Sequence, residues 1–333
     1  MLLKVENIVK HFPLPRGWWW RKQKNVQAVN GVSFSLPEGH TLGLVGESGC
    51  GKTTLARVLM RLIAPDSGKI LLEDEELTEL SEKKLRPLRK KFQMIFQDPY
   101  SSLNPRMTVG QTLTEPLKVH GLGDKSEFRK QVGEMIDRVG LPQSAYGRYP
   151  HEFSGGQRQR VGIARSLMLY PKLVIADEPV SALDVSIQAQ IINLLMDLQR
   201  DMNLTYLFIA HDLKVVRHIS QKILVMYLGH IVEEIDADHL ESARHPYTHA
   251  LLSAVPVPDP RVAREKIILT GDVPSPIDPP SGCTFRTRCP YAQPICAEKV
   301  PSLDTLHEDH RVACLLVQEV PPFSDLEKNP ETR

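Results

Sequence analysis

Apolar positions recur along this chain with two periods, and the switch between them divides it into elements. Residues 2–12 and 32–36 alternate or are rich in β-formers and predict two short strands. Residues 41–45 form a brief apolar strand, followed by a glycine-rich turn and a helix over 53–63. The turn Pro65-Asp66-Ser67-Gly68 opens a strand predicted over 68–77, and another is predicted over 91–99. Between about 100 and 170 the period becomes helical. Phe128, Val132, Met135, Ile136 and Val139 fall on one face of a predicted helix over 125–141. Strand and helix then alternate: strand 173–179, helix 186–202, strand 205–211, helix 212–219, and a hairpin over 223–235 turning at Leu228-Gly229.

Strands alternating with helices predict an α/β chain with parallel strands, into which residues 100–170 insert a helical subdomain. From about Pro246 proline becomes frequent and periodicity fades. The expected organisation is therefore a main domain over 1–245 and a Pro/Cys-rich C-terminal appendage over 246–333. No repeat or low-complexity tract appears.

The 333 residues are 41% hydrophobic, enough for a substantial core, and Lys+Arg (41) against Asp+Glu (40) leaves a net charge of +1. That balance argues against a chain devoted to gripping nucleic acid. The first residues mix charged with apolar positions rather than forming a secretory leader. No run approaches the roughly 20 apolar residues needed to span a bilayer. A cytoplasmic chain needing a separate membrane partner is the expectation. Trp18, Trp19 and Trp20 lie among basic residues beside Pro13 and Pro15, and either pack internally or form an extended loop meeting lipid headgroups or a partner.

Gly46-Glu47-Ser48-Gly49-Cys50-Gly51-Lys52-Thr53 satisfies G-x-x-x-x-G-K-[ST] between a predicted strand and a predicted helix, the context a phosphate-binding loop requires. Its backbone N–H groups and helix start suit phosphate oxygens, Lys52 the β- and γ-phosphates, and Thr53 a Mg²⁺ ion. Cys50 reads as a small filler. The apolar strand 173–176 delivers Asp177 and Glu178 at its C-terminal end, one suited to Mg²⁺ and the other to orienting or deprotonating water. Ser154-Gly155-Gly156-Gln157 reads as a second helix start able to meet phosphate.

Phe153-Ser154-Gly155-Gly156-Gln157, lying between those two motifs, resembles the signature of ABC ATPases, with Phe where Leu is commoner. The resemblance covers residues 3–235 and implies an ABC-type P-loop ATPase fold of mixed sheet and flanking helices. It implies head-to-tail dimers in which each signature caps the ATP held by the other subunit's loop. It assigns Gln97 as the glutamine coupling the metal site to membrane subunits, Ser181-Ala182-Leu183-Asp184 as the D-loop, His211 as the γ-phosphate histidine, and Phe12 as the ring stacked on adenine. Gly46 through Thr53, with Thr54, would then surround the nucleotide, and Thr53, Gln97 and Asp177 the Mg²⁺.

Residues 96–106, 177–186 and 226–229, with Arg244-His245-Pro246-Tyr247-Thr248, Ala250 to Pro256 and Gly271 to Pro276, are similar to the ATPases of dipeptide and oligopeptide importers and their nickel-importing relatives. Within that branch the likeness is to the second ATPase of a dipeptide importer. It implies an ATPase peripheral on the cytoplasmic face of the membrane. Its partners would be two permease subunits, a second and paralogous ATPase, and a periplasmic or extracellular peptide-binding protein. Nickel, glutathione or another small solute is the alternative cargo. A double-cassette DNA-repair or ribosomal ABC protein fits poorly, because only one phosphate loop is present. An exporter fits poorly because of the tail. Cys283, Cys289, Cys296 and Cys314 crowd the appendage without the C-x₂₋₄-C pairs of zinc sites. Zinc and free thiols stay open, while the resemblance implies a [4Fe–4S] cluster.

Overall fold

The structure, a computed structural model, describes residues 1–14, 24–98, 102–255 and 266–328. Trp18–Trp20, and Pro99–Ser101 of the segment after Gln97, lie outside the described residues. The chain divides into two compact units.

One unit comprises residues 1–3, 35–41 and 71–209. Strands β6 (Phe92–Ile95), β7 (Leu173–Asp177) and β8 (Thr205–Ala210) run parallel, with Phe92 opposite Leu173 and Leu173 opposite Thr205. Every residue of β7 and β8 is buried, as expected of interior parallel strands that show an apolar run rather than alternation. The helical insert holds α3 (Val109–Val119), α4 (Lys125–Arg138) and α5 (Gly155–Leu167), with two short 3₁₀ turns. A short α2 (Glu82–Leu88) precedes it, and the long α6 (Val185–Met202) follows β7.

Helix α4 shows why the helical period was readable. Asp124 and Glu127 form a capping box at its start, and Phe128, Val132, Met135 and Ile136 are its buried face. At its end Gly140 (φ 68°) donates to Asp137 O and Leu141 N to Ile136 O, the Schellman pattern, with Leu141 buried beyond it.

The other unit comprises residues 4–34, 42–70 and 210–333. Strands β1 (Leu3–Pro13), β2 (Asn25–Leu36) and β4 (Ser67–Leu72) form one sheet in the order β2-β1-β4. A second sheet runs from β3 (Thr41–Val45) through β9 (Lys222–Tyr227), β10 (His230–Asp236) and β12 (His310–Val312) to β11 (Asp304–His307). The β3–β9 pair is parallel and the others antiparallel, so the sheet is mixed. Helix α1 (Lys52–Leu59) follows the glycine loop, and α7 (Leu213–Ile219) precedes β9.

Two expectations are corrected. The strand expected over 68–77 bends at Glu73 and Asp74, both at positive φ (51° and 64°), and returns as β5 (Glu75–Glu76). Two central residues at positive φ match the turn type that suits strand twist. The appendage, expected to lose regular structure, instead supplies α8 (Pro246–Ser253), the short α9 (Ile295–Glu298), β11, β12 and α10 (Phe323–Lys328). The hairpin at Leu228-Gly229 forms as expected, with φ of 42° and 81°.

The appendage is built in around one carboxylate. Glu233 of β10 is fully buried and accepts from the N–H of Arg244 at 2.6 Å, the N–H of His245 at 3.2 Å and Nε2 of His310 at 2.8 Å. Burial disfavours its charge, but His310 and these N–H donors outweigh burial and hold its pKa below the ordinary value. Phe285 then packs edge-on to Tyr227 (5.2 Å) and against Tyr247 (5.5 Å).

Candidate functional site

The glycine loop leaves the wholly buried β3 and runs into α1. Two of its three glycines are required by close backbone contacts. A Cβ on Gly46 would stand 2.2 Å from the Met226 carbonyl oxygen, and one on Gly51 (φ 110°) 2.1 Å from that of Ala28. The turn of the β9–β10 hairpin braces the loop, since Gly229 N donates to Cys50 O (2.9 Å) and Asn30 N to Gly229 O (2.8 Å). Lys52 is buried, and its ammonium lies back along the loop, donating to the carbonyls of Gly46 (2.8 Å) and Glu47 (3.0 Å). Ser48 and Gly49 are exposed, and Thr53 and Thr54 half-buried. Cys50 is buried, and burial pushes its thiol up, as suits a neutral filler.

Two residues that sequence reasoning did not assign hold this loop from the C-terminal region. Arg288, nearly buried, places Nη1 2.8 Å and Nη2 3.2 Å from the two carboxylate oxygens of Glu47. The Tyr247 hydroxyl accepts the Glu47 N–H at 2.7 Å. Burial opposes the charge on Arg288, but the bonds to Glu47 prevail and raise its pKa. The Arg288–Glu47 pair is 241 positions apart, beyond the reach of any periodic pattern.

In this same unit the Phe12 ring is half-buried at the end of β1, with the Lys10 ammonium 5.5 Å from its centre. His211 is exposed immediately after β8, and Asp212 caps α7 by accepting from Lys214 N at 2.8 Å.

In the other unit Asp177 ends β7, 3% exposed. Glu178 sits at φ 46°, a left-handed conformation that costs about 1–3 kcal/mol for a residue with a Cβ. It is held there by its N–H on Ile209 O (2.9 Å) and by Ser181, which donates from N (3.2 Å) and Oγ (3.1 Å) to its carbonyl. Its side chain accepts from Gln97 Nε2 at 2.8 Å, so the structure joins these two predicted residues. Ser154 caps α5 in a reciprocal box with Gln157. Gly155 and Gly156 face Leu183 and Ile187, where added Cβ atoms would come within 3.4 and 2.6 Å, and this seats the helix start against the expected D-loop and α6.

The four tail cysteines form no disulfide, Cys296 being buried and the others half-buried. Cys289 is pushed up to about 12 and Cys314 to about 11, by burial first and then by the other thiols of the set. Among the described residues no three His, Cys, Asp or Glu side chains are arranged to hold a metal ion. Neither this arrangement nor the comparisons with known proteins support the [4Fe–4S] expectation. Nor is any helix among them long and apolar enough to cross a membrane.

Comparison with known proteins gives a consistent picture. Residues 29–181 match the ABC transporter family, and residues 232–296 the C-terminal region of oligopeptide/dipeptide transporters. The oligopeptide transport ATP-binding protein AppF of Bacillus subtilis is 54% identical over 95% of this chain and 97% of its own. OppF of Escherichia coli is 52% identical over 95% of this chain and 96% of its own. Among solved structures, an ATP-binding cassette in a dimeric post-hydrolysis state with ADP and phosphate superposes with a TM-score of 0.63 at 27% identity, covering 71% of this chain and 98% of that one. The cassette cbiO1 of Clostridium perfringens gives 0.62 at 27%, covering 72% and 90%.

Proposed function

The chain belongs to the ABC transporter family of ATP-binding subunits, and from that premise we propose that it hydrolyses ATP to energise uptake of oligopeptides or dipeptides through a membrane permease. What carries the reading is the glycine loop with Lys52 folded along it, in a chain whose relatives are named for oligopeptide transport. Residues 1–245 are the nucleotide-binding domain, and residues 246–333 the transporter-type tail.

The loop N–H groups and Lys52 bind the phosphates, and Phe12 stacks on the base. Thr53, Asp177 and Gln97 are the residues that would hold Mg²⁺, which would screen phosphate charge. Glu178 orients and deprotonates the attacking water, a role that suits a carboxylate fixed by Gln97 and a strained backbone. His211 contacts the γ-phosphate. Ser154, Gly155, Gly156 and Gln157 present a capped helix start to the nucleotide of a second ATPase subunit, a paralogue of this one. The loop after Gln97 passes the closing motion to two permease subunits, and a peptide-binding protein delivers cargo. The chain works on the cytoplasmic face of the membrane.

The four cysteines are read as ligands of a [4Fe–4S] cluster, which takes four thiolates. The supports are their gathering in one small region and the importer resemblance. Iron and acid-labile sulfide in anaerobically purified protein are expected, and their absence would remove the cluster from this reading.

The transport reading is tested by ATP turnover of this chain reconstituted with its permease and partner ATPase. Stimulation by peptide-loaded binding protein is the expected result. Turnover indifferent to peptide but stimulated by nickel or glutathione receptors would replace the cargo.

A further inference from the structure

A loop that opens a helix attracts anions, because its N–H groups are unpaired and the helix dipole adds positive potential. A carboxylate tethered inside such a loop is therefore a competitor for the same donors, at the high effective concentration of an intramolecular ligand. Glu47, second residue of the loop, is that carboxylate. It does not bind the loop in this structure. Arg288 takes both of its oxygens, at 2.8 and 3.2 Å, and the Tyr247 hydroxyl takes its N–H at 2.7 Å. The fork is itself fixed. Arg288 stands 6.0 Å from the Tyr227 ring centre, and Phe285 packs on both Tyr227 and Tyr247. An arginine held this way gives up little freedom per bond formed.

We propose that Arg288 is a positioning residue of the ATP site: it draws the Glu47 carboxylate out of the phosphate loop, neutralises it, and so leaves the loop donors and Lys52 to the phosphates. The C-terminal region is then a working part of the nucleotide site. This rests on the reading of Gly46–Thr53 as the ATP loop. A purely structural clamp would also lose nucleotide when cut, but it would do so whether or not position 47 bears a charge. The two roles are separated by that difference.

The experiment is the affinity of the full-length chain for a fluorescent ATP analogue with Mg²⁺, in wild type, R288A, E47Q, E47Q/R288A and K52A. Loss of a charged, bidentate partner corresponds to weakening of about ten- to a hundredfold in R288A. In the E47Q background the same Arg288 substitution should change affinity by less than about threefold, because no carboxylate is left to compete. Wild-type affinity in R288A, or an equal loss in both backgrounds, overturns the proposal. Should R288A not fold, R288K supplies the comparison, since it keeps the charge but not the fork. A loss with R288K that persists in E47Q overturns the proposal equally. Wild-type protein that binds no nucleotide, or K52A that binds as well as wild type, overturns the reading of the loop rather than the role of Arg288.

Discussion

Glu178 combines three features: a left-handed backbone at φ 46°, a carboxylate bonded to Gln97, and a position one residue beyond the buried Asp177. Its conformation aims the side chain, and Gln97 fixes where it points. Replacing the carboxylate by its amide keeps an acceptor for Gln97 and removes the proposed base. E178Q should therefore bind ATP as wild type does while single-turnover hydrolysis slows by about 10²–10⁴-fold. The loop has a different vulnerability. In G51A the new Cβ meets the backbone oxygen of Ala28, which no rotamer change relieves, so nucleotide binding should fall below detection in the same fluorescence titration. The motif spelled out both positions. The φ of Glu178 and its bond to Gln97 were not legible, because they depend on β8 and the turn at Ser181 rather than on neighbours in sequence.

At the scale of elements, two helices of the same unit make a matched pair. Helix α3 is capped by Thr108 with Gln111, and α5 by Ser154 with Gln157. T108A and S154A should each cost about 1 kcal/mol in urea unfolding, the usual worth of an N-cap. Only S154A should also lower ATP turnover in the assembled transporter, since of these two helix starts only that of α5 is proposed to meet a nucleotide. Equal turnover in the two variants would reduce the Ser154 box to a helix cap. Elements with strong local punctuation were readable, as α4 with its box and Schellman end shows. The Glu73–Asp74 turn was not, because its residues are ordinary acidic side chains at positive φ. The tail strands β11 and β12 were missed because they are short, and β12 is tied to β10 by the bond from His310 to the buried Glu233 rather than by an alternating pattern.

For the whole molecule, the buried polar groups tying in the C-terminal region should make stability fall with acid. Burial lowers the folded pKa of His245 from the ordinary 6.5 to about 4. The unfolded chain therefore binds the proton first as pH drops. Its contribution is complete above about pH 6.5 and shrinks as pH falls to about 4, by roughly 3 kcal/mol over that window. Glu233, with its pKa also lowered, contributes stability present above the ordinary carboxylate range and lost as pH falls through its own depressed value. Unfolding midpoints measured from pH 7 to pH 4 should decline steadily, and H245Q, which keeps an acceptor for Tyr247 N, should remove the His245 share. A flat profile in wild type would refute the assignment.

The sequence by itself determined the strand–loop–helix of the phosphate site, the capped start of α5, the mixed α/β order and the family, because each rests on hydrogen bonds and steric limits between residues a few positions apart. Only the tertiary structure decided that Arg288 and Tyr247 hold Glu47, that Glu233 anchors the C-terminal region through Arg244, His245 and His310, and that Gln97 meets Glu178. Those pairings join residues from 11 to 241 positions apart, and in the Glu233 set a charge and its donors are withdrawn from water together, so that each must find the other. No period in a sequence records which buried carboxylate will find which buried donor.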